Sequence, residues 1–385
     1  MRESALRREE AVHVLEAVRR REPQIIERIG ELVTVESPSS SKAGVDQAQS
    51  LFASWAAAYG RVRRYRHKGF GDSLSVTFGP KQSREPAVML LGHLDTVWEV
   101  GTLAGMPFRV TRDRISGPGV LDMKAGVVMA LTAVESLHEL GLLNRPVIML
   151  LHGDEEVGSP QSRPLTEKLA RKVECVYVLE PAQGEPGAYK TARKAVGLYR
   201  LKVTGKAAHS GVDFEQGQSA ILELARQIEA LQEHTDLRKG ITVNAGVIGG
   251  GTGSNVIAAE AWMEIDVRVA RMRDVAKLDR SLRSMKPVNE ACTLAISGGI
   301  NRPPMERTPG TVGLFRRAQQ MARLLRIPLE EAATGGGSDG NFTSALGIPT
   351  LDGMGAVGAG AHAAHEHLVR KHLVPRTALL AAMLL

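Results

Sequence analysis

The chain has 385 residues, 43% hydrophobic and 24% charged, a balance that excludes a disordered or fibrous chain and allows two domains with cores of their own. Its net charge is +7, but the basic residues are scattered, aromatics make up 4%, and no helix-turn-helix, zinc-finger or RNA-binding signature occurs, so nucleic acid is not an expected partner. Two cysteines, Cys175 and Cys292, are too few for a disulfide framework or a cysteine zinc site and read as packing residues.

The first 24 residues are charged throughout and lack the apolar stretch of a signal peptide, and no run of about 18 apolar residues follows, so a cytoplasmic protein with no membrane span is expected. The cluster Arg61, Arg63, Arg64 and Arg66 reads as a solvated face. Next come the apolar runs AVMLLG before His93, PVIMLLHG before Glu155 and VECVYVLE up to Glu180, each the length of a strand covered on both faces. Helical stretches at 124–140 and 162–171 alternate with them, as in a layered α/β domain.

Near residue 193 the pattern changes to strand 198–203, helix 216–234, strand 241–248, strand 261–269, helix 273–285 and strand 292–297, the β-α-β-β-α-β order of a ferredoxin-like module. In its third strand Met263, Ile265, Val267 and Val269 alternate with Glu264, Asp266 and Arg268, so one face packs and the other stays open. The α/β pattern resumes with a helix at 312–325, the glycine-rich loop TGGGSDGNF and a short strand in IPTLDG. The expected fold is thus α/β with two domains: a discontinuous domain, 1–192 and 303–385, interrupted by an inserted module, 193–302.

Acidic and histidine residues gather where these runs end: His93 and Asp95 in GHLDTV, Asp122 in GPGVLDMKAG, Glu155 and Glu156 in HGDEEVGS, Glu180 in VLEPA and His362 in GAGAHAAHE. Open α/β sheets bind ligands beyond the carboxyl ends of their strands. Imidazole and carboxylate in this mixture suit zinc with a position left for water. His93 and Glu180 would hold one ion, Glu156 and His362 a second, and Asp122 would bridge the pair. Asp95, two residues from His93, is placed to orient its imidazole. In an extended segment Glu155 and Glu156 point apart, so one can bind metal while the other faces the water as general base. His365 and His367 rival His362 on spacing alone, whereas His13, His138 and His152 read as ordinary packing or surface histidines.

These segments, with GKAAHSG and SNVIAAEAWMEIDVRV, occur in the order found in the di-zinc metallopeptidase family that includes glutamate carboxypeptidase, acetylornithine deacetylase, succinyl-diaminopimelate desuccinylase and aminoacylase, which the chain resembles from about residue 24 onward. Among these branches it most resembles the glutamate carboxypeptidase. The resemblance implies two zinc ions, with cobalt or manganese as substitutes, on the ligands just named, Glu155 as base, and His362 as the last ligand because it precedes Glu366. It also implies that the inserted module is a lid and dimerisation domain of a homodimer. In that module His209 would steady the oxyanion in the partner's site, and Asn255 and Arg268 would contact substrate. Ala125 stands where relatives often carry glycine, and His365 where they carry other residues. The expected activity is hydrolysis of an amide bond in a small peptide or N-acyl amino acid that releases an amino acid with a free carboxylate. A glutamate-type carboxypeptidase comes first, an N-acyl-amino-acid deacylase second and a noncatalytic dimeric binding protein third.

Overall fold

The computed structural model describes the backbone from residue 2 to 385 and the side chains from residue 9 onward. The chain divides into two compact units, one built from 1–192, 307–333 and 338–385, the other from 193–306 and 334–337.

The first unit is built on a sheet with strand order Gly60–Tyr65, Ser73–Phe78, Val147–His152, Val88–His93, Cys175–Val178, Thr350–Leu351. Val88–His93 runs parallel to both Val147–His152 and Cys175–Val178, and the register places His93 opposite His152. The carboxyl ends of these three strands therefore lie level along one edge. Alternation sorts the strand side chains into two cores: Val88, Leu90, Met149 and Leu151 pack with the helices Ala125–Glu139 and Leu373–Met383, whereas Met89, Leu91 and Leu150 pack on the opposite face with Ala170 and Leu165. Burial on both faces explains why the strands read as continuous apolar runs.

Helix Ala125–Glu139 is buried from Ala125 through Leu137. Its Gly126 lies so close to the sheet that a Cβ there would stand 2.2 Å from the Leu179 carbonyl oxygen, a fit only glycine allows. The helix carries one carboxylate inward, Glu135, which is met by Arg28 at 2.9 Å and Arg21 at 3.4 Å.

The second unit is an antiparallel sheet in the order Thr242–Gly250, Glu260–Val269, Ala195–Thr204, Thr293–Arg302. Helices Ala220–Gln232 and Met272–Arg283 supply Leu224, Leu231, Leu278 and Leu282 to a core that includes Met263, Ile265, Val267 and Val269. The β-α-β-β-α-β order is as expected, and Leu198 and Ile248 remain 58% and 61% exposed.

Four boundaries differ from the sequence reading. The last strand of this unit continues to Arg302 because Gly298, at φ 86°, sits where a Cβ would be 2.2 Å from the Leu198 carbonyl oxygen, so the chain passes without leaving the ladder. The division after it falls at 306 rather than 302. Residues 334–337 join the second unit because Arg193 donates to the Gly336 and Gly337 carbonyls at 3.3 and 3.1 Å and Lys194 N–H to the Thr334 carbonyl at 3.1 Å. The expected 312–325 helix begins earlier, at Pro309, where proline suits a first turn and Thr308 caps it by accepting from Thr311 N–H at 3.2 Å.

Both cysteines are buried and unpaired, and burial pushes the Cys175 thiol up to about 11. No helix among the described residues is long and apolar enough to cross a membrane.

Candidate metal centre

His93 closes its strand, Glu180 follows the strand Cys175–Val178 by two residues, and Glu155 and Glu156 open a single 3-10 turn, Glu155–Val157, after Val147–His152. Asp122 lies in the turn that leads into helix Ala125–Glu139, and His362 in the loop after Gly358–Ala359. His362 is held at φ 62°, a left-handed conformation that disfavours residues other than glycine and is kept only where its surroundings enforce it.

The structure brings these side chains into two sets sharing Asp122. In one, His93 Nε2 faces Asp122 Oδ1 at 3.4 Å and Glu180 Oε1 at 3.5 Å. In the other, His362 Nε2 faces Asp122 Oδ2 at 3.4 Å and Glu156 Oε2 at 3.3 Å. Within each set of three the donor atoms lie within 4.8 Å of one another. These separations exceed a good hydrogen bond, and His93 Nε2, Asp122 Oδ1 and Glu156 Oε1 are buried without hydrogen-bond partners among the described residues. Atoms about 2.0–2.2 Å from a tetrahedral ion stand about 3.3–3.6 Å apart, so the spacing fits a divalent cation in each set. His365 and His367 belong to neither set; His367 Nδ1 instead pairs with the His365 carbonyl at 2.8 Å.

The two sets also hold each other's charge. Although burial opposes it, His362 and His93 draw Asp122 well below the usual carboxylate range. Burial raises Glu156 to about 7, and Asp122 and Glu156 raise His362 to about 10.

Asp95 meets both the His93 ring and the turn beyond it. The His93 Nδ1 hydrogen bond goes to the Asp95 main-chain carbonyl at 2.9 Å, with the carboxylate Oδ1 at 3.4 Å. The fully buried carboxylate instead accepts the Glu155 N–H at 3.2 Å, the Glu156 N–H at 3.1 Å and the Ser39 hydroxyl at 2.7 Å. On a 3-10 turn successive side chains point about 120° apart, and the clamp holds that turn: Glu156 belongs to the His362 set, while Glu155 Oε2 stands 3.9 Å from His93 Nε2.

Several contributors escaped the sequence reading. Asp154 accepts from the Gln161 and Ser162 amides at 2.8 and 3.1 Å behind the turn. Lys124 is buried, donates to the Val35 carbonyl at 2.8 Å, and is lowered to about 7 by burial. His152 is a core histidine, as expected, between Ser73 and Thr166.

In the second unit, exposed His209 lies in a bridge with Val256, and the Ser210 N–H donates to the Asn255 carbonyl at 3.0 Å, so His209 and Asn255 are neighbours. The Gly211 N–H donates to His209 Nδ1 at 3.1 Å. The tautomer in which Nδ1 accepts has its N–H at Nε2. Arg268 grips Asp266 through Nε and Nη2 at 2.9 and 2.8 Å, and its Nη1 lies 3.5 Å from the Gly335 carbonyl. The forked edge expected to take a substrate carboxylate is therefore engaged by Asp266.

The model of peptidase family M20/M25/M40 matches residues 89–385. The chain belongs to this family. It is 27% identical to carboxypeptidase G2 of Pseudomonas sp. (strain RS-16) over 376 residues, 94% of this chain and 89% of that protein. Over 270 residues, 64% of this chain and 68% of the relative, it is 28% identical to acetylornithine deacetylase of Pasteurella multocida (strain Pm70). The fold matches aminopeptidase PepT from Bacillus cereus ATCC 10987 at TM-score 0.76 and 21% identity, covering 94% of this chain and 98% of that one. It also matches the M20 family metallo-carboxypeptidase Sso-CP2 from Sulfolobus solfataricus at TM-score 0.73 and 16% identity, with the same coverage. This M20 chain is a metallopeptidase-type hydrolase with the family's two-domain α/β fold.

Proposed function

We propose that the chain is a two-zinc amidohydrolase that releases an amino acid with a free carboxylate, acting first of all as a glutamate-type carboxypeptidase. The observation that carries the reading is the pair of ligand sets sharing Asp122, with donor atoms at the mutual spacing of ligands around one ion and His93 Nε2 and Asp122 Oδ1 buried without hydrogen-bond partners among the described residues. His93, Glu180 and Asp122 would hold one zinc; Glu156, His362 and Asp122 the other. Bound there, two divalent ions would lower the pKa of water and polarise the scissile carbonyl.

The chain's own groups do the rest. Asp95 holds the turn that carries Glu155 and, through its carbonyl, the ring of His93. Glu155 takes the proton of the attacking water and returns it to the leaving amine. His209, with Nδ1 committed to Gly211, offers Nε2–H to the developing oxyanion. Asn255 and the Nη1 side of Arg268 would contact the substrate, Arg268 its terminal carboxylate.

The apolar side chains exposed on the second unit, Ile221, Leu222, Val247 and Ile248, support its role as lid and dimer contact, so that His209 serves the partner's centre in a homodimer. Likeness to carboxypeptidase G2 along 94% of the chain favours a C-terminal glutamate substrate; likeness to acetylornithine deacetylase keeps small N-acyl amino acids as the second reading.

The test is Glu155→Gln, assayed for bound zinc and for amino-acid release from C-terminal-glutamate and N-acyl substrates. Two zinc ions should remain while kcat falls by about 10²–10⁴, the usual worth of a general base. Turnover within tenfold of wild type would remove Glu155 from the mechanism, and a wild-type protein that takes up no zinc would overturn the reading as a whole.

A further inference from the structure

Asp122 is the residue on which both ligand sets depend, yet it lies in a turn and not at a strand end. The sheet fixes His93, and Glu180 follows a strand by two residues, but no ladder holds Asp122. What holds it is the carboxylate of Glu366, which is fully buried.

Glu366 Oε1 accepts the Leu121 N–H at 2.8 Å and the Asp122 N–H at 3.0 Å. Its Oε2 accepts the Gly119 N–H at 2.9 Å and the Trp98 indole N–H at 2.7 Å. Each oxygen thus serves two donors, and three of the four belong to the backbone that leads into Asp122. The turn is shaped to present them: Gly119 is at φ 69°, and a Cβ there would stand 2.5 Å from Thr96 Cγ2. Amides converging in this way make a cradle for an anion, and here the anion is a side chain of the same protein.

Glu366 also belongs to the loop that presents His362. Its own N–H donates to the Ala363 carbonyl at 2.8 Å, and the Ala363 N–H to the Gly360 carbonyl at 2.8 Å, so His362 and Glu366 ride on consecutive tight turns. The strained φ of His362 is kept in a loop anchored by this carboxylate. Burying a carboxylate is costly unless it is fully hydrogen-bonded, and four N–H groups meet that demand.

We propose that Glu366 is a positioning residue that ties the two ligand sets together: from the turn next to His362 it grips the Gly119–Asp122 backbone, so that the two oxygens of Asp122 face His93 and His362 at the same time. The proposal rests on the two-zinc reading. It assigns Glu366 no contact with zinc or substrate. Its effect should appear in the affinity for both ions, because Asp122 is common to both.

The experiment is zinc titration of the metal-free full-length protein against a chelator of known affinity, for wild type, Glu366→Gln and Trp98→Phe, with a thermal melt of each metal-free form. Glutamine offers one carbonyl oxygen and one NH2 group, so two of the four N–H donors would face a donor. Glu366→Gln should weaken zinc binding by about 10- to 100-fold, the usual effect of losing a residue that orients ligands. Trp98→Phe removes one donor and leaves the three backbone contacts, and should weaken it by about three- to tenfold, the net worth of a hydrogen bond. The second variant keeps the test open if the first does not fold. Melting temperatures that fall while zinc affinity stays at the wild-type value would show a purely structural role and overturn the proposal, leaving the two-zinc reading intact. Wild-type protein that binds no zinc would overturn both.

Discussion

Replacing Asp95 by asparagine probes the clamp behind the proposed base. The side chain is fully buried and its two oxygens receive four groups: Ser39 Oγ at 2.7 Å and Glu156 N–H at 3.1 Å on Oδ2, Glu155 N–H at 3.2 Å and, more distantly, His93 Nδ1 at 3.4 Å on Oδ1. Asparagine keeps the shape but turns one oxygen into an NH2 donor. If that group lies toward Ser39, the hydroxyl rotates to accept and the Glu156 N–H loses its acceptor. If it lies toward His93, the ring keeps its bond to the Asp95 carbonyl and the Glu155 N–H loses its acceptor instead. Either orientation leaves one amide facing a donor, at a cost of about 1–3 kcal/mol, or about a 5- to 150-fold loss of protection against local opening. Hydrogen exchange on a peptide covering 153–158 should therefore speed up by that factor in Asp95→Asn. Ser39→Ala removes a donor and no acceptor, so it should change exchange there by less than about fivefold. Unchanged exchange in Asp95→Asn would show that the turn is held by something other than this carboxylate.

Two further outcomes follow from the same geometry. In the metal-free protein Asp122 and Glu156 raise His362 to about 10, so at neutral pH the ring carries a proton that an incoming ion must displace, and Glu156, raised to about 7, adds a second at lower pH; zinc affinity should climb by about tenfold or more per pH unit between pH 6 and 8, and a flat profile in chelator competition would contradict this. At Gly126 an added methyl would stand 2.2 Å from the Leu179 carbonyl oxygen, a rigid backbone atom next to Glu180. Gly126→Ala should then lose about 1–3 kcal/mol of stability in spite of alanine's better helix propensity, and a neutral or raised melting temperature would show that helix and strand move apart freely.

The strands and the candidate ligands were legible because two independent signals coincided. Continuous apolar runs mark strands covered on both faces, and His93, Glu155, Glu156 and Glu180 each stand just beyond such a run. Asp122 and His362 were found by residue type and resemblance, since a turn and an irregular loop leave no periodic trace. What stayed hidden was geometry that depends on the folded backbone. The 3-10 turn at Glu155 and Glu156 replaced the expected extended segment, so their divergence comes from the turn that Asp95 holds and not from strand alternation. Gly298 carried the last strand of the second unit beyond its expected end, and Asp266 took up the edge of Arg268 that composition alone leaves available.

Least legible is what the buried acids that face no candidate ion hold. Strand-end ligands get their positions from the sheet, whose register is fixed by many ladder bonds. Ligands on turns have no such support, and a displacement of a fraction of an ångström would spoil a shell that needs several donors at once. In this chain that support comes from two buried carboxylates that accept backbone N–H groups: Asp95 beneath the Glu155–Glu156 turn and Glu366 beneath the Asp122 turn. Both act on backbone amides, which every residue possesses, so their partners leave no mark in residue type, and Glu366 reaches across 244 to 247 positions to find them. A sequence can therefore reveal the side chains that would meet the ions, and Asp95 beside them, while concealing the backbone amides that the supporting acids hold, although both kinds of residue occur side by side in GHLDTV and in AHAAHE.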